Sequence, residues 1–400
     1  MDSFLTSDSP VKSIRGKIAR SAATERLLPF KVAERPLMLA YWGAHGGLPK
    51  LTLELAQVAS AFQKVKCSIS ISRSNELFGA YNFPDDDCFA VSTFSNKLGA
   101  FLKWKTLLEL RSSLQERLRR DRTRAFVSLA PHIWSPLVGS VIHKAGVRHV
   151  VVVHDASAHP GDMYGLINRW LLREAMMADD VITLSDLVAE GLVAYGVPAR
   201  KISVLFHPDL NYAVPRLDKG VSEPLRILFF GRLFAYKGLS LFVDAIDLLR
   251  RTGLRTTVGV YGWGKIDQLL RHRLSALGAT VVNRYLTHQE LPEMFSRYDL
   301  VVTSHIEASQ SGVIASAFGA GLPVVATPVG SLVEQVRDGV NGILAQSVTV
   351  EAVAAAIRMV AEEPLLLARL REGVAATRPE RSAQRFFDQI CRIALGDLPE

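Results

Sequence analysis

Cysteine is scarce in this chain, and long apolar runs are missing from it. Cys67, Cys88 and Cys391 are the three cysteines among 400 residues. Their odd number and wide spacing indicate neither a disulfide framework nor a zinc site, and they fit a reducing cytosol. No run of about 20 apolar residues escapes interruption by a polar residue or proline, so no membrane-spanning helix is expected. Ser311–Val329 comes nearest, and Pro323 and Pro328 break it. The N-terminus is charged but lacks the apolar core of a signal peptide. A dinucleotide fingerprint, a lysine-bearing P-loop and an Asp-rich metal motif are also absent. No nucleic-acid-binding motif accompanies the basic residues.

Four hundred residues, 48% apolar and 22% charged, describe a globular chain of two domains. The net charge is +8, and six of the surplus positive charges fall within residues 1–215. That half is the one suited to an anionic partner, such as a phospholipid surface or a phosphorylated acceptor. Residues 1–35 form a basic extension. Lys97–Arg124 reads as one long basic helix, with nine Lys or Arg against Glu109, Glu116 and Asp121. Its apolar stripe of Phe101, Trp104, Leu107, Leu108, Leu114 and Leu118 suits either the rim of an anionic membrane or the protein core.

Short apolar runs alternate with helical patterns along the rest of the chain, as in doubly wound domains. Leu37–Trp42 reads as a first strand and GAHGGLPKL, with Gly43, Gly46 and Gly47, as the turn into a helix over Leu51–Phe62. Such a turn aims backbone N–H groups at a phosphate or sugar. Strands follow at Lys66–Ile71, Ala125–Leu129, His149–Val153, Val181–Leu184 and Ile202–Phe206, with helices at Gly165–Met177 and Leu187–Tyr195. His154 and Asp155 stand at the carboxyl end of a strand, where His154 is placed to donate to a sugar hydroxyl and Asp155 to orient its ring. His159, Pro160 and Gly161 continue that loop. Residues 208–224, rich in proline and charge, read as the interdomain linker.

In the second half, the strand Leu225–Phe230 leads into FGRLFAYKG and a helix over Leu239–Arg251. Gly231 permits a tight exit, and Arg232 and Lys237 set two cations near a helix N-terminus, which suits a diphosphate. Asp299–Ala345 reads as strand, polar turn, small-residue helix, strand, glycine turn, helix and strand. Its polar turn, Ser309–Val313, falls at the start of the helix Ser311–Gly321, an anion-favouring junction.

FGRLFAYKG at Phe230–Gly238, YGWGK at Tyr261–Lys265 and the run from Ser309 to Leu344 resemble the C-terminal domain of the retaining GT-B glycosyltransferases of family 4, the glycosyl transferases of group 1. The resemblance implies an α/β fold with two Rossmann-like doubly wound domains facing across a cleft. An acceptor-side domain would span residues 36–207 and a nucleotide-sugar donor domain residues 225–379, with residues 380–400 crossing back as a helix. Arg232 and Lys237 match the pair on the donor diphosphate, and Gly231 the turn that carries them. Ser311, Gly312 and Val313 match backbone donors to the phosphates or sugar, and Gly262 and Gly264 the glycine turn near the nucleotide. Gly46 and Gly47 match the N-terminal turn that reaches the diphosphate, and His154 the histidine at the donor sugar.

One departure stands beside these matches. The family usually carries two Glu separated by seven residues, one on the sugar hydroxyls and one on the ribose. Here Glu307 is followed by Ala315, or, counted back from Pro323, Ala308 is followed by Ser316. The first carboxylate is thus Glu307 or none, and the second is missing, with Ser316 offering at most a hydroxyl. Glu334 matches a family acid of structural or functional role. The expected activity is a metal-independent, retaining hexosyl transfer to a lipid-linked or polysaccharide acceptor, without cofactor, in cell-surface polysaccharide synthesis. A cytoplasmic enzyme at the inner face of the plasma membrane fits that activity. A non-catalytic nucleotide-sugar-binding subunit is the alternative, and an epimerase or phosphorylase on the same plan ranks below it.

Overall fold

The structure is a computed structural model that describes residues 35–62, 64–81, 83–93, 104–156, 165–214 and 224–396. The basic extension as far as residue 34, residues 97–103 of the basic segment, the side chain of Trp104 and the loop His159–Gly161 lie outside the described residues.

The first sheet comprises β1 (Leu37–Tyr41), β2 (Cys67–Ser72), β3 (Cys88–Val91), β4 (Ala125–Ser128), β5 (Arg148–Val153), β6 (Asp180–Thr183) and β7 (Ile202–Val204). Its seven strands run parallel in the order β3-β2-β1-β4-β5-β6-β7. Helices α1 (Gly47–Ala61), α2 (Trp104–Arg120), α3 (Ser135–Lys144), α4 (Gly165–Met177) and α5 (Asp186–Tyr195) accompany it. The second sheet holds β8 (Leu225–Phe230), β9 (Thr256–Gly262), β10 (Thr280–Asn283), β11 (Leu300–Thr303), β12 (Val324–Ala326) and β13 (Gly342–Leu344), parallel in the order β10-β9-β8-β11-β12-β13. Around it lie α6 (Leu239–Arg251), α7 (Gln268–Ala276), α8 (Leu291–Ser296), α9 (Gly312–Gly319), α10 (Leu332–Gln335), α11 (Val350–Glu362) and α12 (Pro364–Ala376), and α13 (Ala383–Leu395) ends the described chain.

Burial on both faces explains the unbroken apolar runs: every residue of β1, β4 and β11 is buried. Strand order reverses between β1 and β4 in one sheet and between β8 and β11 in the other. The crevice beyond the carboxyl ends at such a reversal is where open α/β sheets bind ligands. The Gly43–Gly47 turn, the Gly231–Gly238 loop and the polar turn after β11 all emerge there.

The basic segment is shorter than its charge pattern suggested. Helix α2 ends at Arg120, because Thr123 N–H bonds back to Leu118 O, Arg122 turns to φ 50°, and Arg124 N–H pairs with Pro36 O on the way into β4. Its apolar face is spent on the core: Leu107, Leu110, Leu114 and Leu118 are buried, whereas Leu108 is half exposed. Lys105, Arg119 and Arg120 remain on the outer face. Among the described residues no helix is long and apolar enough to cross a membrane.

The chain itself crosses between the domains at two places. Residues 208–214 do not hang free but pass between the domains, with Asp209 and Leu210 buried. Leu210 N–H donates to Ala315 O (3.1 Å) and Asn211 N–H to Glu54 Oε1 (2.7 Å). Helix α13 returns to the first domain, where Phe387 meets Phe62 edge-on with ring centroids 5.3 Å apart and Phe386 meets Phe206 at 5.8 Å. Arg381 closes the crossing by pairing with Asp209 at 2.9 Å and covering the Phe318 ring of α9.

Candidate functional site

Three loops of the second domain converge at the crevice, and backbone contacts hold them in place. Gly231 leaves β8 at φ 121°, and a Cβ there would stand 2.9 Å from Val313 Cγ2. On its other side Gly262 lies so close that a Cβ would come within 1.7 Å of Gly231 O. Gly231, Gly262 and Val313 are therefore neighbours. Gly264 is a packing glycine as well: Leu233 O would lie 2.5 Å from its Cβ, and its N–H donates to Asn283 Oδ1. The loop bearing the cations is stitched to the β11–α9 loop by Ile306 N–H to Tyr236 O (2.8 Å) and Ser304 Oγ–H to Gly238 O (2.9 Å).

Arg232 stands over the rings of Phe234 and Tyr236, and Lys237 Nζ lies 5.0 Å from the centre of the Tyr236 ring. Neither forms an ion pair with a described carboxylate. Burial, reinforced by the nearby Arg232 and opposed by Asp155, pushes the Lys237 amine down to about 7. Two cations held together, with Asp155 near Lys237 but no close ion pair to either, make a site suited to an anion.

The start of α9 faces the same space. Ser311 caps the helix, its Oγ accepting from Ile314 N–H at 3.3 Å. The Ser311 N–H, expected to meet a phosphate, is already donated to Gln335 Oε1 at 2.8 Å. Gly312 and Val313 are the first residues whose N–H groups have no hydrogen bond to a described residue. A Cβ on Gly312 would meet nothing within 4 Å, so packing does not demand a glycine there and the space above the helix end is open. Gln310 Oε1 is a buried acceptor without a partner among the described residues. Ser316 turns inward: it is buried, and its Oγ–H donates to Gly312 O at 2.8 Å. Glu307 is exposed, and no ion pair with Arg232 or Lys237 is present among the described residues.

From the first domain, His154 and Asp155 reach the site in roles that differ from those expected. His154 Nε2–H donates to Leu129 O at 2.9 Å, which fixes the tautomer and leaves Nδ1 as an acceptor. Burial pushes its pKa below the ordinary imidazole range, so Nδ1 stays unprotonated and offers an acceptor. The Asp155 carboxylate accepts from Ser309 Oγ–H across the cleft, a contact its chain neighbourhood did not suggest. Ser309 O accepts in turn from Ser185 Oγ–H at 2.9 Å and from Ser331. Glu334 is also an interdomain contact, accepting from Asp186 N–H at the start of α5 at 3.1 Å.

The N-terminal glycine turn meets a different neighbour. Gly46 N–H donates to Glu76 Oε1 (3.1 Å) and Tyr285 Oη (3.0 Å), and Gly46 O accepts from His288 Nε2–H at 2.9 Å. Tyr285 Oη–H also donates to Glu76 Oε1 at 2.7 Å. No contact among the described residues joins Gly46 to Arg232 or Lys237. Gly47 opens α1 beside Leu210. Sequence reasoning passed over Glu76, Tyr285, His288, Ser185 and Gln335, each of which acts on a residue distant in the chain, so no local spacing marks them.

Two doubly wound parallel domains meeting at their strand-order reversals, with a cation pair on the second, define a GT-B protein. Comparison with known proteins agrees: the family Glycosyl transferases group 1 matches residues 224–363, and the Glycosyl transferase 4-like domain matches residues 79–206. The chain belongs to this family of GT-B glycosyltransferases. Glycogen synthase of Mycobacterium tuberculosis (strain CDC 1551 / Oshkosh) is 33% identical over 242 residues, 54% of this chain and 55% of that protein. The 2-deoxystreptamine glucosyltransferase of Streptomyces kanamyceticus is 28% identical over 277 residues, 62% of this chain and 70% of that one. The chain thus spans about half the length of the first of these relatives. Among solved structures, Anabaena Alr3699/HepE in complex with UDP and glucose superposes with a TM-score of 0.68 at 17% identity, covering 91% of this chain and all of that one.

Proposed function

We propose that the chain transfers a hexose from a nucleoside diphosphate sugar to a lipid-linked or polysaccharide acceptor with retention at the anomeric carbon. The observation that carries this reading is the cation pair Arg232 and Lys237, without a described carboxylate partner, beside the open N-terminus of α9. Arg232 and Lys237 hold the diphosphate together with the Gly312 and Val313 N–H groups. Gln310 Oε1 and His154 Nδ1 accept from sugar hydroxyls. Among the described residues no carboxylate takes the position of a nucleophile, and transfer follows the front-face route. The bond from the anomeric carbon to the phosphate oxygen breaks, the acceptor oxygen bonds to the same face, and its proton passes to the departing phosphate. Charge gathers on that phosphate, and the two cations stabilise it where other enzymes use a metal ion. Among the described residues no group of three or more His, Cys, Asp or Glu is arranged to hold a metal.

A role in polysaccharide synthesis is supported by the amylovoran biosynthesis glycosyltransferase AmsK of Erwinia amylovora, 24% identical over 217 residues. Contact with an anionic membrane would be electrostatic, through the exposed Lys105, Arg119 and Arg120, because Leu107, Leu110, Leu114 and Leu118 are buried in the core. Radiolabelled transfer from a panel of donors tests the activity. Turnover lost in Arg232→Ala with the fold intact is the expected result, and near-normal turnover in that variant would refute the assignment. Donor binding without transfer or hydrolysis under any condition would instead favour a binding subunit.

A further inference from the structure

We propose that Gln335 is the positioning residue of the donor site, an inference that rests on the nucleotide-sugar reading above. The turn Ala308–Ser311 has no regular hydrogen-bond ladder, so its backbone groups depend on outside partners. One short segment, Gly330–Gln335, supplies most of them. Ser331 N–H donates to Ala308 O at 3.3 Å and Ser331 Oγ–H to Ser309 O. Gln335 takes Ser311 at both ends of its backbone: Oε1 accepts from Ser311 N–H at 2.8 Å, and Nε2–H donates to Ser311 O at 3.1 Å.

This side-chain amide fixes the peptide groups on either side of the α9 cap. Ser311 is held at φ −129° and ψ 103°, the extended geometry that lets its Oγ cap Ile314 and turns the next N–H groups outward. Gly312 and Val313 N–H, the donors assigned to the diphosphate, take their direction from that residue. Without Gln335, Ser311 N–H loses its partner and Ser311 O keeps only the Ala315 N–H at 3.2 Å, so the cap residue gains freedom just where the donors must be aimed. Gln335 touches no ligand in this account; it acts through Ser311.

Removing the side chain need not collapse the fold. Gln335 is only part-buried, and it lines an interdomain cavity of about 730 Å³ together with Leu184, Phe206, Ala315 and Arg337. Truncation therefore enlarges an existing space that water reaches rather than sealing a new void.

The test compares the full chain with Gln335→Ala and Gln335→Glu, using UDP, GDP, ADP, CDP and dTDP as calorimetric probes and then the sugar of whichever diphosphate binds. Gln335→Ala should weaken that diphosphate, and lower kcat, by between about tenfold and a hundredfold, with the acceptor KM unchanged. Gln335→Glu keeps an acceptor for Ser311 N–H but loses the donor to Ser311 O, so it should fall between. Equal binding and kcat in all three proteins overturns the proposal. So does a loss confined to melting temperature, with the surviving folded fraction binding as tightly as wild type. If the wild type binds none of the five diphosphates, the nucleotide-sugar reading itself fails, which is distinct from a variant-specific loss.

Discussion

Lys237 is a cation kept where burial and Arg232 both disfavour its charge, which pushes its amine down to about 7. The unfolded chain holds more protons on this amine than the folded one between pH 7 and its ordinary range, so this group raises unliganded stability as pH climbs through that window. A bound diphosphate favours the charged form, so binding takes up a proton near neutrality. Nucleotide affinity should therefore weaken as pH rises above about 7, with proton uptake visible in calorimetry in buffers of different ionisation enthalpy. Lys237→Arg should remove that dependence, and an unchanged pH profile in this variant would contradict the assignment. Lys237→Ala should lower kcat by roughly 10²–10³-fold, the scale of one lost stabilising donor. These cations were legible in FGRLFAYKG because Arg and Lys beside a strand exit have few structural uses. The absent ribose carboxylate was legible too, and Ser316, buried and bonded to Gly312 O, does not point out of its helix to replace it.

Elements were legible wherever one hydrophobic period governed them. The strand Leu225–Phe230 and the helices Leu239–Arg251 and Gly165–Met177 match residue for residue, because the strand is apolar at every position but Arg226 and the helices repeat apolar residues at helical spacing. Helix α3 went unassigned because Pro136 and Gly139 look like breakers, although Pro136 falls in the first turn, where its missing N–H costs nothing. The end of α2 was overrun because a charge pattern does not reveal a positive φ at Arg122. Least legible were close approaches between loops. Gly330 sits at φ 49°, and a Cβ there would lie 1.7 Å from Ala308 O, so the segment carrying Gln335 can seat only as glycine. Gly330→Ala should destabilise the chain by about 1–3 kcal/mol and loosen donor binding with it. Urea unfolding paired with nucleotide titration checks this, and wild-type values in both would show that the contact does not hold the turn.

At the scale of the whole molecule, closure is built from contacts that meet on the donor turn. Ser309 is held by Asp155 and Ser185 from the first domain, and Glu334 reaches the start of α5. The return of α13 adds an apolar tie, with Phe386, Phe387 and Ile390 fully buried. Phe387→Ala should cost about 3–5 kcal/mol in chemical unfolding, whereas a loss below about 1 kcal/mol would mean that the helix is not part of the first domain's core. The two-domain plan and the returning helix could be anticipated from the family resemblance. The points of contact could not, since they join residues far apart in sequence. That the cleft between the domains holds one anionic ligand is the central proposal. Its most direct test is thermal unfolding of the wild type, Arg232→Ala and Lys237→Ala against UDP, GDP, ADP, CDP, dTDP and their sugars. At a hundredfold excess over its dissociation constant, one nucleotide should stabilise the wild type by about 2.7 kcal/mol and leave both variants close to their unliganded midpoints at that concentration. No shift with any nucleotide, or an equal shift in all three proteins, would contradict the account.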